Sequence, residues 1–486
     1  MTPRRFAALA LLLLGGMRVE AQGRVVPEPG APARKGRVVP APRPRPPRAT
    51  RPPRAQSTAP VRRDRTKSRV AKPVPAPASR AVEPQRAAAV ATAPGGDISA
   101  TLITFGIGEA VWERFGHNAL WIHDARAGTD IAYNWGLFDF EQPGFFRRFL
   151  TGDTKYWMGG EDAYAMVSAY QGGGRPVTLQ MLNLTPAQAQ SLNEIVRRNA
   201  LEENKYYRYD YFRDNCSTRL RDALDRAVGG ALRAATDTMR TALTYRSESV
   251  RLTDGDVPVQ TGIDIALGRP ADTPLSAWES FFIPMRLRDG VRIVNVARET
   301  GELVPLVSSE RILPPVQGAP RVVEARMPPD HTRRNLTAGI LLAVIAMLLR
   351  LLMRSRRWAA WVLALLGMLW SLVCGTLGVV LLLAWLVTKH HFWAANENLL
   401  VLSPVSLLLV VFVPAALLGG RAIRRARIVG GLVAGMGLAA LAMSLLAGGQ
   451  VNRPIVALLL PMHLALAAAL LMFLPRTTRP APATRE

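Results

Sequence analysis

The chain has 486 residues, and its 61 Lys and Arg against 36 Asp and Glu give a formal net charge of +25. The excess is confined to two stretches: residues 22–94 hold 17 basic against 3 acidic side chains, and residues 333–486 hold 15 against 2. Residues 95–332, the part most suited to form a globule, carry 26 basic and 30 acidic side chains. Because nucleic-acid-binding domains concentrate positive charge on a folded surface, this distribution argues against nucleic acid as a partner.

The N-terminus has the pattern of a secretory signal peptide over residues 1–21. Arg4 and Arg5 precede a short apolar run, residues 6–16, and small residues lead up to a cleavage point after Ala21. The run is too short to span a bilayer comfortably. An uncleaved membrane anchor is the alternative, and in both cases the segment that follows is exported.

Residues 22–94 form a basic segment composed mainly of Pro, Arg, Ala and Val. Such a composition buries too little apolar surface to offset chain entropy, so we predict a disordered linker with polyproline II stretches. Its charge would draw it to anionic lipid head groups or other polyanions. A plain spacer is equally consistent with this composition.

Residues 95–313 have the composition of a globular domain, and their patterns predict an α+β fold. Strand patterns occupy residues 99–105, the second half of 113–123, 130–136 and 175–182. Thr185 as N-cap and Pro186 at the first helical position predict a helix that ends near Asn199. A second helix follows from Cys216, and helices packed against one sheet give an α+β domain.

Cys216 is the candidate nucleophile. The chain has only two cysteines, and the other, Cys374, lies in an apolar run predicted to be inside the membrane. A thiol without a disulfide partner in an exported domain is a candidate reactive group. Cys216 falls at the start of a predicted helix, where free N–H groups and the macrodipole favour the nucleophilic thiolate. A buried, inert cysteine is the alternative.

A thiol nucleophile needs a base, and this domain offers two histidines before its trailing linker. We favour His117, which follows a glycine, over His123, which lies next to a loop. Asn134, on the strand expected to pair with the His117 strand, is our first choice for the group that orients the imidazole, with Asp139 second. A histidine without a catalytic role stays open for both positions. Two histidines and one cysteine lack the spacing of metal ligands, so neither a metal nor another cofactor is expected.

The C-terminal part predicts an all-α domain of five transmembrane helices within residues 336–475, after a Pro-containing linker at 314–335. The apolar runs are 336–353, 358–387, 399–420, 428–447 and 455–474, and each is long enough to cross a bilayer. Arginine clusters follow the first, third and fifth runs, and the positive-inside rule places them in the cytoplasm. Residues 476–486 are then a cytoplasmic tail, and the α+β domain lies on the opposite face.

Several separated phrases of the chain occur together, in this order, in one known family. They are Thr104-Phe105-Gly106, Arg114-Phe115-Gly116-His117, Tyr133-Asn134-Trp135-Gly136, Asn204-Lys205-Tyr206-Tyr207 and Asp214-Asn215-Cys216-Ser217-Thr218-Arg219. By these motifs, spread over most of residues 98–300, the chain resembles the Lnb-type family of bacterial lipoprotein N-acyltransferases. The resemblance implies a periplasmic domain similar to permuted papain-like folds, in which the histidine strand precedes the cysteine helix. The order of His117 and Cys216 agrees with that arrangement.

The resemblance also implies an activity at the bacterial inner membrane, with the catalytic domain in the periplasm. Cys216, with His117 as base, would take an acyl chain from a phospholipid as a thioester. It would then pass the chain to the α-amine of the lipidated N-terminal cysteine of an apolipoprotein. The alternative enzyme is a papain-like cysteine peptidase or amidase acting on cell-wall peptide, which would not need five spans. An envelope scaffold in which the cysteine is incidental is the non-enzymatic interpretation.

A polar cluster follows the second apolar run and falls on the catalytic side of the predicted topology. It contains His390, His391, Asn396 and Asn398, and the resembling family has a comparable cluster after its second span. Together with Asn215 of the cysteine motif, these residues are assigned to substrate or lipid binding. An ordinary interfacial loop is the alternative. The second run exceeds one bilayer thickness and should tilt, or carry both histidines beyond the lipid.

Overall fold

The computed structural model describes residues 96–316, 318, 322–446 and 448–472. The predicted signal peptide (1–21), basic linker (22–94) and C-terminal tail (476–486) lie outside the described residues.

The first part of the described chain is built on an antiparallel sheet. Its strands are β1 (Ile98–Phe105), β2 (His117–Asp124), β3 (Thr129–Leu137), β4 (Lys155–Asp162), β5 (Val177–Leu182), β6 (Tyr206–Arg208), β7 (Asn295–Ala297), β8 (Leu303–Pro305) and β9 (Val307–Leu313). Within the described residues, seven of them form one sheet in the order β6-β4-β3-β2-β1-β5-β9, and β7 pairs with β8. The expected pairing of β2 with β3 is confirmed, with Ala119 opposite Asn134.

Helices pack against this sheet and complete the α+β domain. They are α1 (Phe145–Thr151), α2 (Ala163–Gly172), α3 (Pro186–Asn199), α4 (Cys216–Ala227), α5 (Ala231–Thr236), α6 (Tyr245–Leu252), α7 (Val257–Ala266), α8 (Ala277–Ser280) and α9 (Pro284–Val291). The predicted start of α3 is confirmed, because the Thr185 hydroxyl accepts a hydrogen bond from Gln188 N–H and Pro186 stands at the first helical position. The α+β class predicted from sequence is therefore confirmed.

One face of the sheet carries the main core and positions α4. Leu102 of β1, Leu120 of β2 and Trp135 of β3 are almost fully buried in one cluster with Leu192 of α3 and Leu220 of α4. Since alternate residues of a strand share a face, this packing fixes which side of β2 and β3 meets the first turn of α4.

Long apolar helices form the C-terminal part. They are α10 (Thr332–Leu352), α11 (Arg357–Val387), α12 (Leu407–Gly419), α13 (Ile423–Leu445) and α14 (Arg453–Leu471). In the described chain, four of these are long and apolar enough to cross a membrane, and α12 joins a preceding pair of short turns to make a fifth, bent unit. The first helix begins at Thr332, inside the segment predicted as a linker.

The third apolar run, predicted as one transmembrane helix over 399–420, is not one continuous helix. The segment Pro404–Gly419 meets the preceding segment His391–Leu400 at an angle of 47°, with short 3-10 turns at Glu397–Leu400 and Pro404–Ser406 ahead of α12. Pro404 has no N–H to continue a helix, and the Asn396 and Ser403 side chains cap the turns instead. The run is therefore broken at its outer end.

Candidate active site

The first turn of α4 holds Cys216 through the asparagine that precedes it. The Asn215 side-chain oxygen accepts hydrogen bonds from the N–H groups of Ser217 and Thr218, both at 2.9 Å. Its amide nitrogen donates to the carbonyls of Tyr211 and Phe282. Asn215, predicted to bind substrate or lipid, is thus the N-cap of α4, and its amide is occupied at both ends.

A buried polar chain ties α4 to strand β2. The Thr104 hydroxyl donates to the Asn118 side-chain oxygen at 2.9 Å, and Asn118 donates to Ser217 Oγ at 3.1 Å. Ser217 in turn donates to the Phe281 carbonyl at 2.6 Å. Asn118 follows His117 and Ser217 follows Cys216 in the sequence, so this series of hydrogen bonds fixes the backbone beside both candidate groups. No sequence pattern predicted a role for Asn118, and Ser217 was noted only as part of the motif around Cys216.

His117 meets Asn134 across the paired strands. His117 Nε2 lies 3.2 Å from Asn134 Oδ1, and Asn134 is buried. An amide oxygen only accepts hydrogen bonds, so Nε2 carries the proton and Nδ1 keeps its lone pair. The contact with Asn134 thus favours the tautomer protonated at Nε2, and among the described residues Nδ1 has no hydrogen-bond partner, so it can act as a base.

The surroundings of His117 favour a neutral imidazole. Its ring lies parallel to the Tyr170 ring, with centroids 6.2 Å apart, and Tyr170 stacks on Phe105 at 3.7 Å. Burial, followed by the positive charge of Arg175, lowers the pKa of His117 to about 4, although the hydrogen bond to Asn134 acts in the opposite direction. At neutral pH the histidine is a neutral base.

Cys216 is also held in its neutral form. The side chain is only 8% exposed, and the backbone N–H groups of Asn118, Ser217 and Cys216 itself are directed to the sulfur. Burial nevertheless outweighs these donors and the nearby Arg175, and it raises the pKa of Cys216 to about 11. The expectation of a thiolate at the helix start is therefore wrong for the resting site, because the loss of hydration costs more than the helix N-terminus contributes.

Arg175 is a buried cation beside both groups that sequence analysis did not single out. Its Nε donates to the Gly106 carbonyl at 2.7 Å, its Nη1 lies 3.4 Å from Glu113, and its guanidinium lies over the Tyr170 ring at 4.6 Å. Among the described residues its buried Nη2 has no hydrogen-bond partner. The sequence carried no signal for this role, since Gly106 and Glu113 are more than sixty positions away.

Gly136 brings strand β3 directly against Cys216. Its φ is +89°, at a register shift between Trp135 and Leu137. A Cβ at this position would lie 3.4 Å from the Tyr209 ring and 3.5 Å from the Cys216 Cβ. The positive φ favours glycine, and the irregularity lets the strand pass close to the sulfur.

The two runner-up residues lie elsewhere. His123 Nδ1 is 2.8 Å from an Asp130 carboxylate oxygen at the far end of β2. Asp139 is exposed and accepts a hydrogen bond from the Glu141 N–H. His117 and Asn134 are thus hydrogen-bonded, and Cys216 lies close by at the same corner of the sheet, against Gly136 of β3 and with the N–H of Asn118 directed to its sulfur.

The segment that follows α11, residues 388–398, is called here the docking segment. Lys389 pairs with Asp153 at 2.9 Å, and His390 Nε2 lies 3.0 Å from the Phe149 carbonyl. Phe392 is buried against the rings of Phe212 and Tyr245, at 4.6 and 4.7 Å. The neighbouring His391 is exposed. The docking segment therefore joins the apolar helices to the α+β domain.

Asn396 and Asn398 complete this junction. Both side-chain amides donate to the Ile265 carbonyl, and Asn396 also donates to the carbonyl of Ala266. The Asn396 oxygen accepts from Gln450, and the Asn398 oxygen accepts from Asn452. A lipid-binding role for His390, His391, Asn396 and Asn398 stays a prediction, and the contacts of the two asparagines are those of a structural joint.

Comparison with known proteins identifies the domain that carries this corner. Residues 87–246 match the family described as Lnb N-terminal periplasmic domain. No curated protein and no solved structure matches the chain significantly. The matched part is about a third of the chain and contains Cys216, His117 and Asn134. Residues 87–246 are therefore similar to the Lnb N-terminal periplasmic domain.

Proposed function

We propose that this protein is a membrane-bound acyltransferase that moves a fatty acyl chain from a phospholipid to the α-amine of the lipidated N-terminal cysteine of an apolipoprotein. One observation carries the proposal: the buried Cys216 and Asn134 and the partly buried His117 lie close together in a domain similar to the Lnb periplasmic domain, and this domain is joined to membrane-length apolar helices. Both substrates partition into a bilayer, so this attachment supports a lipid reaction over a soluble one.

In the first step Cys216 takes the acyl chain. The sulfur attacks the ester carbonyl of the phospholipid while His117 Nδ1 accepts the thiol proton, because both groups rest neutral. The new bond joins sulfur to the acyl carbon, the carbon–oxygen bond breaks, and His117 returns the proton to the leaving alkoxide. The products are a lysophospholipid and an acyl-Cys216 thioester.

In the second step the thioester gives the chain to an amine. The α-amine of the lipoprotein attacks the acyl carbon, a carbon–nitrogen bond forms and the carbon–sulfur bond breaks. His117 takes a proton from the attacking amine and passes it to the sulfur, which restores the thiol. Since Cys216 is only 8% exposed, bulk water has little access to the intermediate, which limits hydrolysis.

The proposed setting is the inner membrane, crossed five times, with the α+β domain in the periplasm. Gln450, between α13 and α14, bonds to Glu397 and to the Leu267 carbonyl, so these loops meet the α+β domain together. At the opposite ends of the helices, Arg350 and Arg427 bond to carbonyls at the end of α14. Contacts with the α+β domain at one end of the helices and arginine contacts at the other end support five crossings, of which the broken third run is one. They also support placing the arginines on the cytoplasmic side.

The proposal is tested by trapping the thioester. Full-length protein in phospholipid bilayers is analysed by intact mass and peptide mass spectrometry for a fatty-acyl adduct on Cys216. We expect the adduct in the native chain and in Cys374→Ala, and none in Cys216→Ala. An adduct-free native protein with phospholipid present would contradict the proposal.

The acceptor is tested separately. A synthetic diacylated lipopeptide with a free N-terminal cysteine should become N-acylated by the loaded protein, and the same peptide with an acetylated amine should not. Incubation with peptidoglycan fragments distinguishes the peptidase alternative, because Cys216-dependent release of cleaved peptide would favour it.

A further inference from the structure

Four large apolar side chains lie exposed on one side of the α+β domain. Trp112, Phe140, Phe146 and Leu150, called here the aromatic patch, are 53%, 48%, 48% and 56% exposed. The Trp112 and Phe140 rings are 5.8 Å apart, and Phe145 links Phe140 to Phe146 at 5.2 and 5.6 Å. Phe146 and Leu150 are four positions apart on α1 and so share a helix face. A grouped apolar surface of this kind marks an interaction site.

The aromatic patch lies beside the outer end of an apolar helix. The Thr151 carbonyl at the end of α1 accepts a hydrogen bond from Lys389 N–H at 2.8 Å. Lys389 comes two residues after Val387, the last residue of α11, and Leu386 and Val387 are each 68% exposed. The apolar surface of α1 therefore adjoins the place where a membrane-length helix ends.

Charged side chains flank this surface, with Arg147 and Arg148 on α1 and the exposed carboxylates of Asp139 and Glu141 on either side of Phe140. A cleft of about 450 Å³ opens beside it, and its lining is Gln142, Pro143, Arg148, Lys155, Trp157 and Tyr206. Arg148 belongs to α1 itself, and its buried Nε has no hydrogen-bond partner among the described residues. Apolar rings next to cationic side chains are the arrangement found where proteins enter the interface of an anionic membrane.

A continuous series of rings leads inward from the aromatic patch. Phe138 contacts the Phe140 ring at 5.0 Å and the Tyr156 ring at 5.0 Å, and Tyr156 stacks on Tyr209 at 4.4 Å. Tyr209 borders Gly136, which lies against Cys216. A series of neighbouring aromatic rings thus extends from the exposed aromatic patch to the vicinity of the buried Cys216 sulfur.

We propose that the aromatic patch is immersed in the periplasmic leaflet of the membrane that α10–α14 cross, with phospholipid as its partner. Its position at the end of α11, its cationic flank and its exposed rings are the observations that select a lipid leaflet. The inference rests on the membrane placement given under Proposed function and goes beyond it, since immersion of α1 is not needed for the chemistry. Immersion would set the ring series at the level of the acyl chains.

The experiment uses the full chain with a fluorescent probe at one position at a time. Cys216→Ala and Cys374→Ala remove the native thiols, and Leu150→Cys, Leu372→Cys and Ile293→Cys each add one for an environment-sensitive label. Leu372 lies midway along α11 and is 43% exposed, so it reports the membrane, whereas Ile293 is 60% exposed beside the small β7–β8 hairpin and reports water. The labelled proteins are placed in phosphatidylethanolamine and phosphatidylglycerol vesicles and quenched with spin-labelled lipid or aqueous iodide.

Immersion predicts that the probe at position 150 loses several-fold more fluorescence to lipid carrying a shallow spin label than the probe at 293, and less to iodide. The proposal is overturned if position 150 behaves like 293 while position 372 is quenched by lipid. Protection from both quenchers would also overturn it, because protein would then cover the patch. If position 372 too is open to iodide and untouched by lipid, the membrane placement fails, and immersion with it.

Discussion

Two buried regions of this molecule combine histidine with asparagine, and they differ in whether side-chain polar atoms keep unused hydrogen-bonding capacity. In the docking segment, Asn396 and Asn398 use their amide nitrogens and oxygens in hydrogen bonds to the α+β domain and to neighbouring side chains. In the corner at Cys216, the His117–Asn134 bond leaves Nδ1 with its lone pair, and Arg175 keeps an unpaired Nη2 among the described residues. The Asn396 and Asn398 amides are therefore fully used in holding structure, although the buried Oδ1 of their neighbour Asn452 has no partner among the described residues, whereas the corner keeps a lone pair and a guanidinium N–H that are available for chemistry.

Burial also determines the protonation states of His117 and Cys216 at this corner. Burial lowers the pKa of His117 to about 4 and raises the pKa of Cys216 to about 11. The resting pair is therefore uncharged, and in the proposed reaction proton transfer accompanies attack on the substrate.

Replacing the base should have the largest effect. His117→Ala removes the acceptor for the thiol proton, so we expect the rate of Cys216 acylation to fall by about 10²–10⁴-fold. The rate is measured as acyl adduct against time in phospholipid bilayers. His123→Ala is the matched control, because His123 bonds to Asp130 at the far end of the same strand. Equal losses in both variants would argue against His117 as the base.

Breaking the joint should act on stability. Asn398→Ala leaves the Asn452 amide without its acceptor and removes one of the two donors to the Ile265 carbonyl, at a cost of about 1–3 kcal/mol. We expect a lower thermal midpoint and faster proteolysis of the full chain, with the pH dependence of acylation unchanged. Asn295→Ala, at an exposed position of β7, is the control. A shifted pH profile with native stability would mean that Asn398 belongs to the chemistry.

The sequence predicts the parts of this molecule that local patterns control. Alternation located β1, β2 and β3, and cap chemistry located the start of α3. Strand β4 escaped because Gly159 and Gly160 interrupt its pattern, and those glycines are needed where Leu137 and Tyr133 approach. The pairing of β2 with β3 was predicted from the sequence, and the register of this pair brings Asn134 to His117.

Interactions set by distant parts of the chain were not accessible in this way. Arg175 acts through contacts with Gly106 and Glu113, and no pattern near Arg175 in the sequence predicts these contacts. The protonation of Cys216 depends on how deeply α4 is buried, which no local motif records. The break in the third apolar run was visible only as Pro404, whose effect depends on the side chains that cap the turns around it.

Removing the positive charge near His117 should move the pH dependence of acylation. Arg175 lowers the pKa of His117, second only to burial, so Arg175→Gln should raise that pKa. The imidazole acts as a base only above its pKa, and the acid side of the rate profile should therefore move to higher pH. Arg175→Lys keeps the charge and should keep the native profile, even though it loses the fixed bond to Gly106. An unmoved acid limb in Arg175→Gln, despite reduced stability, would give Arg175 a purely structural role.

The smallest shift is expected at Asn134, and its sign is opposite. The Asn134 hydrogen bond raises the pKa of His117, by less than burial and Arg175 lower it. Asn134→Ala should therefore lower that pKa further and move the acid limb of the acylation profile to lower pH. The proton on Nε2 also loses its acceptor, so the maximal rate on the plateau should fall. A change in the pKa of His117 alone would not lower the rate at pH values above the acid limb. Asp139→Ala serves as the control, since Asp139 is exposed and, within the described contacts, its side chain bonds only to the Glu141 N–H. A limb that moves to higher pH in Asn134→Ala would mean that the amide presents its nitrogen to His117, and that Nε2 rather than Nδ1 keeps the lone pair.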